Sequence, residues 1–231
     1  MAKSPTPKKK AADKSPKVFQ REKISYDLHI RERDDLTEKQ IAILKTALDK
    51  STKGIWIDGI YGSGKTFLAV LASLKLLQQG KVDQIIYIRN PVESSTTGKL
   101  GFLKGELSEK MSPYASIVYD KLDELLPPSE IEMLKNEVRV DAIPLGFCRG
   151  KSWNCKAIIV DEASSMSADD LTLLLTRCGE FTKIFLIGDS HNQNDIGAKA
   201  GFRKLFDIFN DEDSKNNGVF CYKKKKKNDI V

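Results

Sequence analysis

The sequence has little of what zinc sites, disulfide frameworks and membrane spans require. It contains four cysteines without a C-x-x-C pair and only two histidines. A zinc site is therefore not expected, and isolated cysteines suit a reducing cytoplasm. The N-terminus lacks an apolar signal segment, and no apolar run approaches the roughly 20 residues of a membrane helix. We therefore expect a soluble, cytoplasmic protein with no membrane partner.

The sequence also has no excess of acidic residues, since its 231 residues carry a formal net charge of +6. Residues 1–23 carry eight Lys or Arg against two acids, and residues 223–231 carry five Lys against one Asp. The remaining 199 residues are mildly acidic, at −4. We expect a disordered basic tail over 1–23, one domain over 24–222 and a Lys-rich tail over 223–231. The tails either attract nucleic acid or are simply solvated.

The sequence does contain a phosphate-binding motif, G-x-x-x-x-G-K-[S/T], at residues 59–66. Its glycines let backbone N–H groups approach a polyphosphate, its lysine reaches the β- and γ-phosphates, and Thr66 offers a hydroxyl to Mg²⁺. An apolar run at 55–57 precedes it and an apolar helix over 67–77 follows, which favours ATP binding over an ordinary glycine-rich turn. The predicted nucleotide contacts are Gln40, Gly59, Ile60, Tyr61, Gly62, Ser63, Gly64, Lys65, Thr66 and Phe67.

Gln40 has two interpretations. Apolar residues recur at helical spacing over 37–48, and Thr37 with Gln40 three residues later forms the pattern of a capping box. Gln40 also precedes Lys65 by 25 residues. Helicase-like ATPases carry a glutamine at about this place that reads the edge of adenine, so both roles stay open.

Two further strand ends carry polar side chains. The apolar strand that opens at Lys156 delivers Asp161 and Glu162, and the ends of parallel strands face the ligand crevice. Asp161 is predicted to hold Mg²⁺, and Glu162 to orient or deprotonate the water that attacks the γ-phosphate. A strand over 183–187 leads to Gln193, which is predicted to sense the γ-phosphate or that water.

The other elements alternate between helices and strands, which predicts an α/β domain with a mostly parallel sheet. No internal repeat is visible. The predicted strands are 84–89, 138–143 and 219–222, and the predicted helices are a stretch ending at Pro127, then 130–136, 168–177 and 201–209, with a polar turn over 211–218.

Together these motifs resemble, in order and spacing, the PhoH-like ATPase family over roughly residues 35–222, most closely the versions carried by bacterial viruses, whose proteins act in the host cytoplasm. The matching segments, besides the phosphate loop, are Arg89-Asn90-Pro91-Val92-Glu93, Lys99-Leu100-Gly101-Phe102-Leu103-Lys104-Gly105, Pro113-Tyr114, Tyr119-Asp120, Pro144-Leu145, Arg149-Gly150, Asp161-Glu162-Ala163, Leu175-Thr176-Arg177, and Gly188-Asp189 with Gln193. The resemblance implies a single RecA-like P-loop NTPase domain related to superfamily 1 helicases. It also implies ATP hydrolysis, ring assembly such as a hexamer, and association with RNA or single-stranded DNA.

The sequence departs from the family pattern at four places. Residues 94–97 replace small and acidic residues, Ser164 stands where many relatives have Gln, and Lys104 where many have Pro. Relatives also continue past an Asp-[Ile/Val]-Val-Arg segment, whereas this sequence ends at 229–231. A charge-stabilising arginine is therefore not evident, either naturally or because the sequence is a piece of a longer protein. Either hydrolysis is impaired, or Arg149 or Arg177 acts across a subunit boundary.

Two other functions compete with a nucleic-acid-linked ATPase. A phosphotransferase would use the same loop to present ATP to a small acceptor, but it generally needs an arginine-rich lid, and no arginine cluster is present. A nucleic-acid binder with little ATPase activity would work through the lysine tails, and its binding would depend on salt but not on ATP.

Overall fold

The computed structural model describes residues 25–89, 107–191 and 200–223, with the backbone alone for 107–114. The predicted tail over 1–23, all but the first residue of the predicted tail over 223–231, and the loop that carries residues 94–97 and Lys104 lie outside this range. The described strands are β1 Gly54–Asp58, β2 Gln84–Arg89, β3 Val140–Pro144, β4 Lys156–Asp161, β5 Lys183–Gly188 and β6 Val219–Lys223. The described helices are α1 Glu38–Leu48, α2 Lys65–Gln78, α3 Leu107–Leu125, α4 Pro128–Asn136, α5 Ala168–Leu175, α6 Phe202–Phe209 and α7 Glu212–Asn216.

The six strands form one sheet in the order β3-β2-β4-β5-β1-β6, and every pairing is parallel. All strands therefore end at the same edge. The strands β4, β5 and β1 are adjacent, although β2 and β3 lie between β1 and β4 in sequence. This order brings the phosphate loop, which follows β1, beside the polar residues that follow β4 and β5.

Helices cover both faces of the sheet. Alternating strand residues, such as Ile57, Tyr87 and Ile159, pack with α1 to α4 on one face, where α2 is buried along most of its length. The strand residues between them pack with α5 and α6 on the other face, where Trp56 stacks with Phe209. Burial on both faces explains why the central strands are almost wholly apolar. None of the described helices is long and apolar enough to cross a membrane.

The predicted elements are confirmed in type and order, with differences at their ends. The predicted strand over 138–143 begins two residues later, because Val138 has a positive φ of 53° in a turn. The polar turn predicted over 211–218 contains the short helix α7, which begins where the Asp211 side chain accepts a hydrogen bond from the Ser214 N–H. The last strand includes Lys223, which was assigned to the tail.

Candidate functional site

The phosphate loop leaves β1 and turns directly into α2. Gly62 and Gly64 adopt the left-handed conformation, with φ of 76° and 75°, and Gly64 is the N-cap of the helix. A Cβ at Gly62 would meet no atom within 4 Å, so this position requires glycine for its backbone conformation and not for space. The Gly59 N–H donates to the carbonyl of Gly188, which ties the loop to the end of β5. The loop therefore presents the N-terminus of α2 at the ligand edge.

Lys65 folds back over the loop. Its Nζ donates to the carbonyls of Gly59 at 2.7 Å and Ile60 at 2.9 Å. Burial lowers the pKa of Lys65 below the ordinary lysine value, and the surrounding carboxylates, Asp189 first, oppose that shift. When phosphate oxygens enter the loop, this ammonium group can exchange its hydrogen bonds to the two carbonyl oxygens for stronger ones to the phosphate.

Asp161 lies across the cavity from Thr66 at the end of β4. The Thr66 hydroxyl is 3.3 Å from both carboxylate oxygens of Asp161. The Tyr87 hydroxyl donates to Asp161 Oδ2 at 2.5 Å, and the Glu162 N–H donates to Oδ1 at 3.0 Å. Burial, followed by the charge of Asp161, raises the pKa of Tyr87 far above its ordinary value, so the phenol remains a donor. The sequence analysis did not identify Tyr87 as a site residue. The one signal for it in the sequence is a residue with a hydroxyl group inside a strand predicted to be buried.

Glu162 follows in a left-handed conformation, with φ of 51°. Its Oε1 lies 3.8 Å from Arg89 Nη2. Burial, and then the negative charge of Asp161, raises the pKa of Glu162 above the ordinary carboxyl value. A carboxylate with a raised pKa is a better proton acceptor.

The end of β5 completes this side of the site. The Asp189 N–H donates to Ser164 Oγ at 3.3 Å, so the serine that departs from the family pattern contacts the third strand end. Asp58 at the end of β1 accepts from the N–H and hydroxyl of Ser190, a link that sequence reasoning did not anticipate. Gln193 lies outside the described residues.

The phosphate loop separates two cavities. The larger, of about 400 Å³, is lined on one side by the loop and on the other by Asp161, Glu162 and Asp189. The smaller, of about 220 Å³, lies between the loop, α1 and β6. Tyr61 is 88% exposed at the entrance to the larger cavity, while Phe67 is buried with the guanidinium of Arg33 4.5 Å from its ring centre.

Gln40 lines the smaller cavity and forms the capping box. Its Oε1 accepts from the Thr37 N–H at 2.9 Å, and its own N–H donates to Thr37 Oγ1 at 3.4 Å. A Cβ placed on Gly64 would lie 3.2 Å from Gln40 Nε2. The cap is therefore formed, and the same side chain lies beside the phosphate loop.

The two predicted arginines lie away from this site. Arg149 is exposed in the turn that follows β3, which ends at the ligand edge but is separated from β1 by β2, β4 and β5. Arg177 follows α5, and its carbonyl accepts from the Trp153 N–H just before β4 begins, at the edge of the sheet opposite the phosphate loop. Neither arginine is among the described residues that line the larger cavity.

An all-parallel sheet with a phosphate loop after β1 and an acidic pair after β4 defines a RecA-like P-loop nucleotide-binding domain. The chain belongs to the PhoH-like family, because the family model described as PhoH-like protein matches residues 34–229. This family consists of P-loop proteins predicted to be ATPases, and membership implies binding of a nucleotide with Mg²⁺.

The PhoH-like protein of Mycobacterium tuberculosis strain H37Rv is 37% identical over 169 residues, which cover 72% of this chain and 47% of its own. The PhoH-like protein of Synechocystis is 35% identical over 167 residues, covering 71% of this chain and 49% of its own. This chain therefore spans about half the length of the curated relatives it matches.

Among solved structures, the Sulfolobus solfataricus SWI2/SNF2 ATPase core in complex with dsDNA is similar to this chain, with a TM-score of 0.51 at 14% identity. The match covers 92% of this chain and 49% of that chain. At this level of identity the likeness shows the fold alone.

Proposed function

We propose that this protein binds and hydrolyses ATP in the larger cavity. One observation carries the proposal: Lys65 and Thr66 at the start of α2 face Asp161 and Glu162 at the end of β4 across a single cavity. Each pair alone has an ordinary structural explanation. Their convergence from distant parts of the chain provides phosphate binding, metal binding and proton acceptance in one place.

The residues around Asp161 fit a magnesium ion. A hydroxyl and a carboxylate are the hard oxygen ligands that Mg²⁺ takes in P-loop sites, and water and phosphate oxygens usually complete its coordination. The described residues contain no cluster of three or more His, Cys, Asp or Glu side chains that could hold a metal by itself. Thr66 and Asp161 would hold the ion, which, when bound, neutralises charge on the phosphates.

Lys65 would bind the β- and γ-phosphates, and Glu162 would accept a proton from the attacking water. We further propose that Gln193 senses the γ-phosphate and that Arg177 or Arg149 acts on a neighbouring subunit of a homo-oligomeric ring. The position of both arginines outside the cavity of their own subunit favours that assignment. An arginine supplied in this way is worth about 10³-fold or more in rate.

Phosphate release from ATP tests the proposal in the wild type, Lys65→Ala and Glu162→Gln. We expect Lys65→Ala to lose nucleotide binding, and Glu162→Gln to bind ATP but release phosphate about 10²–10⁴-fold more slowly. Lys53→Ala and Glu180→Gln are matched controls, because both side chains are exposed at the opposite edge of the sheet. Equal phosphate release from the wild type and both site variants would exclude this site.

We also propose that RNA or single-stranded DNA is the partner of this ATPase. The basic tails support the proposal, and the SWI2/SNF2 core of similar fold is in complex with dsDNA. ATPase rates with and without each nucleic acid, recorded together with the oligomer mass, test it. A rate unchanged by either nucleic acid would contradict coupling.

A further inference from the structure

The smaller cavity between the phosphate loop, α1 and β6 bears on which nucleoside triphosphates the protein accepts. We infer that this site takes nucleoside triphosphates without discriminating between their bases, because the side chain placed to read the base can only donate. The inference rests on the proposed function and concerns the substrate class of the same site.

The phosphate loop determines where the base lies. The metal and proton-accepting residues line the larger cavity on one side of the loop, so the γ-phosphate belongs there. The smaller cavity opens on the other side of the loop and reaches Ile43, Leu68 and Tyr222. These side chains offer the apolar contact that any base can use.

Gln40 is the amide side chain that lines this cavity, and its acceptor is occupied. The Thr37 N–H and the Thr37 hydroxyl both donate to Gln40 Oε1, at 2.9 and 3.1 Å. A backbone N–H can only donate, so the amide atom that faces it must be the oxygen. A carbonyl oxygen has two lone pairs, and both have a partner here. The Nε2 group beside Gly64 is what remains for a ligand.

A lone donor has an acceptor to meet on every base. Adenine carries an amine at the ring position where guanine carries a carbonyl oxygen, so an acceptor aimed at that position selects adenine. Both purines carry the N7 acceptor and the pyrimidines carry carbonyl oxygens, so each base can turn one acceptor toward Gln40 Nε2. Gln40 therefore strengthens binding of a base without selecting one.

No other amide or carboxylate side chain replaces this acceptor among the described residues of the cavity. Asp58 is the second described lining residue with such an oxygen. Its carboxylate accepts from the N–H and hydroxyl of Ser190, lies 3.7 Å from Lys223 Nζ and is 2% exposed. The amide and carboxylate oxygens of the described lining that could accept from an exocyclic amine are thus engaged within the fold.

The test measures dissociation constants of ATP, GTP, CTP and UTP for the full chain, by competition with a fluorescent ADP analogue in the presence of Mg²⁺. We expect the four constants to agree within about threefold, which is less than one well-placed hydrogen bond contributes. Gln40→Glu is the matched variant, because Glu at this position also completes a capping box while it removes the donor. The Gln40→Glu variant should unfold at the wild-type temperature and bind all four nucleotides more weakly. The ratios between the four dissociation constants should not change.

The possible outcomes separate the inference from the proposed function. A wild-type preference for ATP over GTP of about tenfold or more, equivalent to about 1.4 kcal/mol, overturns the inference and leaves the proposed function intact. Selective loss of ATP binding in Gln40→Glu, with GTP binding kept, overturns it as well. If none of the four nucleotides binds, the proposed function fails and the inference fails with it.

Discussion

At the scale of single residues, Tyr87 is a buried phenol that holds a carboxylate of the candidate metal site in place. We expect Tyr87→Phe to remove the bond to Asp161 Oδ2, which leaves the carboxylate held only by the Glu162 N–H and the Thr66 hydroxyl. Hydrogen bonds to charged groups contribute about 1.5–3 kcal/mol, so the Mg²⁺ concentration for half-maximal nucleotide binding should rise about tenfold or more. A magnesium titration of nucleotide binding measures this.

Tyr26→Phe is the matched control for this change. It removes a phenol that donates to Glu137 Oε2 at 2.8 Å, remote from both cavities. The control should keep the wild-type Mg²⁺ dependence. A Tyr87→Phe variant with that same dependence would show that the phenol does not position Asp161.

Lys183 is a buried cation at the opposite edge of the sheet, where its ammonium group donates to the carbonyl of Asp49. Burial lowers the pKa of Lys183 to about 8. Above this pH the unfolded chain keeps the proton that Lys183 has lost in the folded chain, so Lys183 should add about 1 kcal/mol to the free energy of unfolding over the next pH unit. Urea unfolding at about pH 8 and pH 9 measures this contribution as the difference between the wild type and a variant without the group, because ordinary cysteines ionise near about pH 8.5 and affect both proteins equally.

Lys183→Met removes the titrating group, and Lys53→Met removes an exposed lysine from the same edge. Between the two pH values, the unfolding free energy of the first variant should change by about 1 kcal/mol less favourably than that of the wild type, and the second variant should follow the wild type. The same change in the wild type and in Lys183→Met would assign the effect to other groups.

At the scale of elements, the turn from β1 into α2 depends on Gly64. A side chain there would be held at φ of 75°, and its Cβ would lie 3.2 Å from Gln40 Nε2. We expect Gly64→Ala to lower the free energy of unfolding by about 1–2 kcal/mol, the cost of a left-handed residue that carries a Cβ. Denaturant unfolding measures the loss, and nucleotide affinity should fall with it.

Gly146→Ala is the control for this substitution. Gly146 lies in the turn after β3, without a positive φ, and a Cβ there would meet no atom within 4 Å. Its stability should change by no more than about 0.5 kcal/mol. Equal stability of the two variants would mean that the loop relaxes without cost.

At the scale of the whole molecule, the basic charge lies outside the described domain and the mildly acidic body within it. Lys223 belongs to the domain, because it is part of β6 and lies 3.7 Å from the carboxylate of Asp58. A variant without residues 1–23 and 224–231 should therefore keep the fold and lose salt-dependent binding of single-stranded RNA or DNA. The logarithm of affinity plotted against that of salt concentration measures this.

A second truncation, which also removes Lys223, is compared with the first. That change should affect the thermal stability of the domain without a further loss of nucleic-acid affinity. If the first truncation binds nucleic acid as tightly as the full chain, with the same salt slope, the partner lies on the acidic body and not on the tails.

The sequence by itself determined the elements and the chemistry of the strand ends. Short apolar runs such as 184–187 indicate buried strands, and the glycine, lysine and threonine spacing at 59–66 meets the demands of a polyphosphate at close range. These signals are local, because periodicity and loop geometry depend on neighbouring residues. The capping box of Thr37 and Gln40 was readable for the same reason.

Only the tertiary structure decided which of these residues meet. The sheet order places β4, β5 and β1 side by side, so Thr66 faces Asp161 and Tyr87 reaches the same carboxylate from a third strand. It also places Arg177 at the opposite edge and directs both lone pairs of Gln40 Oε1 toward Thr37. Contacts between residues far apart in the chain depend on strand order and packing, which no local pattern encodes.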